Sequence, residues 1–418
     1  MNRVNWQSNR AAKATSNTLR LALSGQIRHE HPDGALAPGA PAAVDLNSPE
    51  ITQALDLCVS CKGCKRDCPT GVDMARMKIE VMHQQRLAGK RLSFGQWLVV
   101  QLPRYAPLAS KFSFLMNLRD RLPGAAKLSE VLLGFSARRS LPTWPGRVFT
   151  RLSGSKDSRN AVEGAAEIVL WADTFNNYFE SENLLAAKEV LEAAGYRVHL
   201  AQPTFKDIEA RPLCCGRTYL SQGMLVDAKY EAERTLRGLQ KWIAKGVPVI
   251  GLEPSCLLTM RDEFLSLKLD PEMRNLAVKL ATQAFLLEEF IAKELDAKRF
   301  HLKLNSAGER AAWLHGHCHQ KAFDAVRPIE QVLGLIPGLT VKTIESSCCG
   351  MAGSFGYEAS HIDVSMAMAE LSLLPAVRKA GAEDLIVADG TSCRHQIKDG
   401  AQRSAIHVAR VLQQYLVH

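Results

Sequence analysis

The spacing of apolar positions along the chain changes character once, near residue 160. From Ile51 to about Leu141 apolar side chains recur every three or four residues, as in Val72–Met82, Phe94–Leu102, Ala109–Leu118 and Ala125–Phe135. No two-residue alternation appears there, so this stretch reads as helical, broken at Pro103, Pro107 and Pro123. Beyond it, short apolar runs alternate with longer amphipathic ones. Glu167–Trp171, Tyr196–Leu200, Val247–Gly251, Ala311–His315, Thr340–Ile344 and Leu385–Ala388 read as strands, and Glu182–Ala194, Val226–Ala244, Ile329–Leu335 and Val364–Ala380 as helices. Such alternation implies mainly parallel sheets covered by helices. The expected class is therefore α + α/β: a flexible N-terminal lead at 1–48, an all-helical domain at 49–145, and two α/β lobes at 160–300 and 305–418. The lead carries a helical stretch near Asn17–Ser24 and a Pro/Gly/Ala-rich linker from His31 to Ala43; Pro142–Ser158 reads as a second linker.

The two lobes are also a repeat. Cys214-Cys215-Gly216 recurs as Cys348-Cys349-Gly350, 134 residues on. Glu253-Pro254-Ser255-Cys256, after one strand, recurs as Gly390-Thr391-Ser392-Cys393 after another, 137 residues on. Two lobes facing each other would bring these thiols to a cleft at the carboxyl ends of the strands, where open α/β sheets hold ligands. Cys318, inside His315-Gly316-His317-Cys318-His319, also follows a strand. Buried structural thiols are the bland alternative, but six cysteines in register favour a metal. The three histidines follow no zinc spacing, and His317 and His319 are expected to donate hydrogen bonds to a cluster or substrate. Gly350, Gly353 and Gly356 read as a turn beside the cysteine pair, since they lack a nucleotide-binding order.

The helical segment carries the most specific motif, Cys58-x2-Cys61-x2-Cys64-x3-Cys68-Pro69, the bacterial pattern for wrapping a 4Fe-4S cluster. A tight turn must aim several thiolates at one cubane, and Gly63 is expected to let the backbone pass close to it. The 49–145 domain is thus expected to be ferredoxin-type and to move electrons. Zinc is the competing reading, although zinc sites usually bring two separated cysteine pairs. In two-cluster ferredoxins the fourth cysteine, here Cys68, serves the other cluster. No second run exists in this sequence, so Cys68 either closes a single site or has its partner ligands on another chain or an absent segment.

Composition removes several classes. The 418 residues are 46% hydrophobic and 23% charged, as in ordinary globular domains. Met1–Gln26 has no signal-type apolar run, which points to the cytoplasm, where eleven cysteines are better explained by metal than by disulfides. Charge is uneven: residues 1–160 hold 24 Lys+Arg against 11 Asp+Glu, and 161–418 hold 28 against 32. No nucleic-acid motif accompanies the basic half. Phe94, Trp97, Leu98, Val99, Val100, Phe112, Phe114, Leu115 and Met116 lie among Arg91, Arg104, Lys111, Arg119 and Arg121, a pattern of core-facing helices or of peripheral contact with the inner face of a membrane.

Taken with Ala54–Cys64, Gly251–Cys256, His315–Lys321 and Glu345–Gly353, the Cys-Cys-Gly repeat resembles the CCG domain. That domain is shared by heterodisulfide reductase subunits, the glycolate oxidase iron–sulfur subunit and the C-terminal halves of FAD-linked 2-hydroxy-acid dehydrogenases; the likeness is greatest to the last. The resemblance covers about residues 15 to 418. It implies an oxidoreductase in which a flavin domain oxidises lactate, glycolate or 2-hydroxyglutarate and the iron–sulfur portion passes the electrons on. It implies ligation of a 4Fe-4S cluster by Cys58, Cys61, Cys64 and Cys68, and a second cluster or site at Cys214, Cys215, Cys256, Cys318, Cys348, Cys349 and Cys393. The implied partners are a flavin-binding dehydrogenase subunit or domain, which would hold the FAD, and an electron acceptor such as a quinone or cytochrome. A disulfide or quinone reductase acting at the CCG thiols is the alternative. Thr174–Asn177, Thr259 and Gln396 stand where the disulfide reductases carry further cysteines. The flavin domain and the first ferredoxin half-motif do not precede this region, so the chain reads as a separate subunit or a truncated larger enzyme.

Overall fold

The structure, a computed structural model, describes residues 46–152, 164–203 and 211–417. The helix expected near Asn17–Ser24 and the linker His31–Ala43 lie outside the described residues.

The fold is α + α/β. Short helices run from Pro49–Asp56 through Met74–Leu87 and Phe94–Val100 to Ala125–Leu133. Seven strands follow: β1 Glu167–Leu170, β2 Arg197–Leu200, β3 Val249–Gly251, β4 Ala284–Leu286, β5 Arg310–Leu314, β6 Leu339–Thr343 and β7 Leu385–Val387. They form two sheets, ordered β2-β1-β3-β4 and β6-β5-β7, in which every pair is parallel. Parallel pairing needs helical crossovers, and the helices Ser181–Ala193, Leu225–Lys245 and Arg327–Leu333 supply them. The apolar faces of Ser181–Ala193 and Arg327–Leu333 fill one core common to both sheets, while Leu225–Lys245 packs in a second core on the other face of the first sheet. Leu184, Val190 and Leu191 pack in the common core with Val411 and Leu412 of the C-terminal helix, beside Leu170, Leu314 and Val387 of the strands. Thirty or so such side chains leaving water at about 25 cal/mol per Å² hold the two sheets together far more firmly than any surface ion pair.

Two expected elements differ. Val364–Ala380 is two helices, Ile362–Glu370 and Leu373–Lys379. Pro375 has no N–H to give the Leu371 carbonyl, so the ladder breaks there. Pro142–Leu152 is not a loose linker. Trp144 packs on Phe179 at 4.5 Å between ring centres, Phe149 is fully buried, and Phe149–Leu152 is helical. The rest of that stretch, from residue 153, lies outside the described residues. The strand β4 adds to the expected set; its Ala284-Phe285-Leu286 run lies between the helices Pro271–Gln283 and Leu287–Asp296 with no turn residue to mark it off.

Candidate metal centre

The Cys58–Cys68 loop is held by charge. Ser60 and Lys62 both adopt left-handed backbone, with φ of 50° and 60°, which costs of order 1–3 kcal/mol each for a side chain with a Cβ. Lys62 offsets this cost: it is 1% exposed, and its Nζ lies 2.5 Å from Asp262 and 2.9 Å from Glu263. Lys65 joins at 2.9 Å from Asp262, and Arg76 also pairs with Asp262. Burial works against the charge on Asp262, yet these cations hold its carboxyl below the usual range. The loop is thereby tied to the turn after Pro254–Arg261, across 200 residues of sequence. His319 adds a second tie, its Nε2 lying 3.1 Å from the Ser60 carbonyl. Expected at a cluster or substrate, His319 instead serves the loop's backbone. His317 caps its own helix, its Nδ1 accepting from the His319 N–H at 3.1 Å. Gly63 starts a short helix, its N–H donates to the Cys61 sulfur, and a Cβ there would meet that sulfur at an ordinary 3.6 Å.

Within the loop Cys58, Cys61 and Cys64 act on one another electrostatically. Burial pushes the Cys61 thiol up to about 12, and Cys318, Cys58 and Cys64 add to the shift. Cys68 sits nearer the surface. Its sulfur lies 3.1 Å from Thr70 Oγ1, and that bond with the Val72 and Thr70 N–H groups lowers its pKa.

The Cys-Cys-Gly turns are built alike. Gly216 and Gly350 have φ of 76° and 88°, and a Cβ on Gly350 would lie 2.3 Å from the Ser365 carbonyl oxygen. In each turn the glycine N–H points at the first thiol, at 3.4 Å from Cys214 Sγ and 3.4 Å from Cys348 Sγ. In lobe 1 a buried network positions the turn. Glu231 takes Arg211 at 3.1 Å and Arg234 at 2.8 Å, while Thr235 donates to the Cys214 carbonyl at 2.9 Å. Cys214, Cys215 and Cys256 are linked sulfur to sulfur, and Cys256 is pushed up to about 12.

In lobe 2 the thiols of Cys318, Cys348, Cys349 and Cys393 form one chain, Cys349 and Cys393 standing 3.5 Å apart. Cys61 raises Cys348 and Cys318 raises Cys61, so the local loop and the lobe 2 thiols lie within reach of each other's charge, and the His319–Ser60 contact ties the two segments. Contact with the preceding thiol, Cys318 or Cys348, eases Cys348 and Cys349 respectively, yet the next thiol along, Cys349 or Cys393, together with burial pushes both well up. The two Ser-Cys turns face each other through Glu253. It accepts from Ser255 Oγ at 2.9 Å in its own turn and from the Thr391 N–H at 2.9 Å in the other. Glu180 binds Arg394 Nε at 2.8 Å and Thr391 Oγ1 at 2.7 Å. Thr259 and Gln396, at the positions without cysteine, carry hydrogen bonds: Thr259 donates to the Ser255 carbonyl at 2.8 Å and Gln396 accepts from Arg139 at 2.5 Å.

The eleven cysteines are all free, and the donor set suits iron or another thiophilic metal: thiols in contact, shielded from water, with main-chain N–H groups aimed at sulfur. Sequence spacing does not single out Lys321 or His315. Lys321 is a buried cation whose Nζ donates to the Ser346 and Ser347 carbonyls at 2.5 and 3.1 Å, and its charge faces Cys393, Cys318, Cys348 and Cys349. A ring nitrogen of His315 lies within 4.8 Å of the Cys349 and Cys393 sulfurs. A cavity of about 960 Å³ joins Cys318, Cys348 and Cys349 to an apolar wall that includes Leu132, Trp144 and Phe179.

No family profile matches the chain. It is 25% identical over 362 residues to D-2-hydroxyglutarate dehydrogenase of Escherichia coli, covering 84% of this chain and 33% of that protein. The chain thus spans about a third of the length of that relative. It is 25% identical over 311 residues to one of the subunits of the anaerobic glycerol-3-phosphate dehydrogenase of Escherichia coli, covering 74% of each. Lactate utilization protein A of Bacillus subtilis is 26% identical over 255 residues, 59% of this chain and 98% of that protein. The chain is therefore similar to named dehydrogenases, which are oxidoreductases, and to proteins named as a dehydrogenase subunit or as a lactate-utilization component.

Proposed function

We propose that this chain is the iron–sulfur, electron-carrying component of an FAD-dependent dehydrogenase acting on a 2-hydroxy acid or a related small alcohol such as glycerol 3-phosphate. One observation carries the reading: His319, next to Cys318, lies 3.1 Å from the carbonyl of Ser60, next to Cys61, and Cys61 lies within the electrostatic reach of Cys318 and Cys348, so a locally wrapped cluster and a second thiol site would lie close together. Cys58, Cys61, Cys64 and Cys68 would hold a 4Fe-4S cluster, and the CCG cysteines a second metal site. When bound, such clusters supply one-electron storage at potentials set by charge and hydrogen bonds. The chain's own residues supply those settings, the Lys321 ammonium and the glycine N–H groups among them. Substrate oxidation would belong to a flavin-bearing partner. The relatives' names support such a partner, since one of them is itself named as part of a multi-chain dehydrogenase.

The helical face between Phe94 and Leu152 supports contact with an anionic bilayer. It carries twelve exposed large apolar side chains, Val131 at 83% among them, and the segment holds nine Lys+Arg against two Asp+Glu, of which Arg139 is buried and Arg119 nearly so. Among the described residues no helix is long and apolar enough to cross a membrane. The cavity beside the lobe 2 thiols favours a second reading, reduction of a small disulfide or quinone there, with two electrons and two protons taken up per acceptor.

Oxygen-free purification with iron and sulfide analysis tests the first reading. About four irons per cubane are expected, lost in Cys61→Ser, while Cys349→Ala removes iron from the second site only. Colourless, iron-free protein after reconstitution refutes it. Rapid reoxidation of the reduced protein by an added disulfide or short-chain quinone supports the second reading.

A further inference from the structure

Three ligating side chains converge on one edge of the second sheet. His315 directly follows β5, Cys349 lies in the turn after β6, and Cys393 begins the helix after β7, so each comes from the carboxyl end of one strand of the sheet β6-β5-β7. The His315 N–H donates to the Val387 carbonyl at 2.8 Å, which fixes its backbone against β7. The side chain is fully buried.

The hydrogen bonds around the ring decide which nitrogen is free. His315 Nδ1 lies 2.8 Å from Ser346 Oγ. Ser346 Oγ lies 3.4 Å from the Ile344 carbonyl and 3.1 Å from Lys321 Nζ, so it can donate to that carbonyl while accepting from Lys321 and from His315 Nδ1, and in that tautomer Nε2 keeps its lone pair. Lys321 directs its three N–H bonds to Ser346 O, Ser346 Oγ and Ser347 O. Among the described residues Nε2 has no hydrogen-bond partner. A neutral imidazole with one nitrogen fixed by a second residue and the other bare in a nest of thiols has the arrangement of a metal-ligating histidine.

We propose that His315, through Nε2, is a ligand of the lobe 2 metal site, binding the same metal atom as Cys349 and Cys393. The proposal rests on the reading that lobe 2 holds metal. The sulfur spacing is compatible with one shared atom: two thiolates on one tetrahedral metal with bonds of about 2.3 Å stand about 3.7 Å apart. Cys349 and Cys393 stand 3.5 Å apart, with the imidazole nitrogen inside the same 4.8 Å group. Cys318 and Cys348 extend the site beyond that atom. Nitrogen in place of sulfur on iron raises the reduction potential, as in Rieske centres.

The test uses full-length protein reconstituted without oxygen with iron and sulfide and grown with 15N-histidine. Iron content and pulsed EPR are compared for the native protein, Cys349→Ala, His315→Leu and His315→Cys. The expected results are a histidine-nitrogen coupling on the Cys349-dependent signal, its loss in His315→Leu with at least a tenfold fall in metal affinity of that site, and rebinding in His315→Cys at a lower midpoint potential. Cys349-dependent iron that is unchanged in His315→Leu, or that shows no histidine nitrogen, overturns the ligand while leaving the electron-carrier reading intact. Absence of any Cys349-dependent iron overturns the ligand and the reading that lobe 2 holds metal.

Discussion

Glu180→Gln removes the charge that holds Arg394 beside Cys393. Arg394 is 4% exposed and donates through Nε to Glu180 Oε1 at 2.8 Å and through its backbone-facing Nη1 to the Ala388 carbonyl at 2.8 Å. Burial opposes the charge on Glu180, but the Arg394 guanidinium outweighs it and holds the carboxyl down at about 2 instead of 4.5. That displacement is worth about 3 kcal/mol, in the range of about 3–5 kcal/mol for stranding one member of a buried pair. Because the folded-state pKa is depressed, the stabilisation is fully present above about 4.5 and is lost as pH falls through about 2. Urea unfolding at pH 7 followed by fluorescence should therefore show Glu180→Gln less stable by about 3 kcal/mol. The gap between variant and native protein should narrow steadily as the pH is lowered below 4.5. Glu180→Leu/Arg394→Met, which removes both charges, should cost less than Glu180→Gln alone. A loss under about 1 kcal/mol at pH 7, or a gap that does not change with pH, would show that the pair does not hold the two lobes together as argued.

Lys62→Met should lower the thermal midpoint and slow cluster assembly, since it leaves Asp262 and Glu263 buried with fewer cations and frees the strained backbone at Ser60; an unchanged melting curve and unchanged iron uptake would contradict this. Gly350→Ala should destabilise by at least about 1–2 kcal/mol from its left-handed backbone alone, with the Ser365 carbonyl clash in addition, whereas Gly353→Ala, which meets nothing nearby, should incur only the backbone cost; denaturant midpoints separate them. Asp173 is buried beside Glu253, and burial raises its carboxyl to about 7. With the folded value above the unfolded one, its protonation stabilises the fold at low pH and that stability is lost as pH rises from about 4 to 7, so Asp173→Asn, which keeps the helix cap, should flatten the stability profile in that window. Val131→Asp with Leu132→Asp should abolish flotation with vesicles containing anionic lipid while sparing iron content; equal flotation of both proteins would remove the bilayer contact from the proposal.

Much of the scaffold could be read from apolar spacing because parallel strands buried on both faces leave unmistakable runs, such as Ile168-Val169-Leu170 and Leu385-Ile386-Val387. The facing of the two Ser-Cys turns was legible from the repeat, and Glu253 is the residue that realises it. Boundaries failed where one residue decides, as at Pro375, or where no turn residue marks off a strand, as at β4. The ion cluster of Lys62 with Asp262 and Glu263 was hidden, since no local pattern reports a contact spanning 200 positions. His315 escapes a sequence reading for a related reason: spacing weighs histidines within one motif, whereas the group it joins is gathered from the ends of three strands.

The lobe 1 thiols Cys214, Cys215 and Cys256 are 4%, 2% and 2% exposed, enclosed by the helices Leu225–Lys245 and Pro254–Arg261. A metal held there would be shielded from solvent, so both its entry and its loss would require those helices to move, and its exchange would track local opening of lobe 1 as well as affinity.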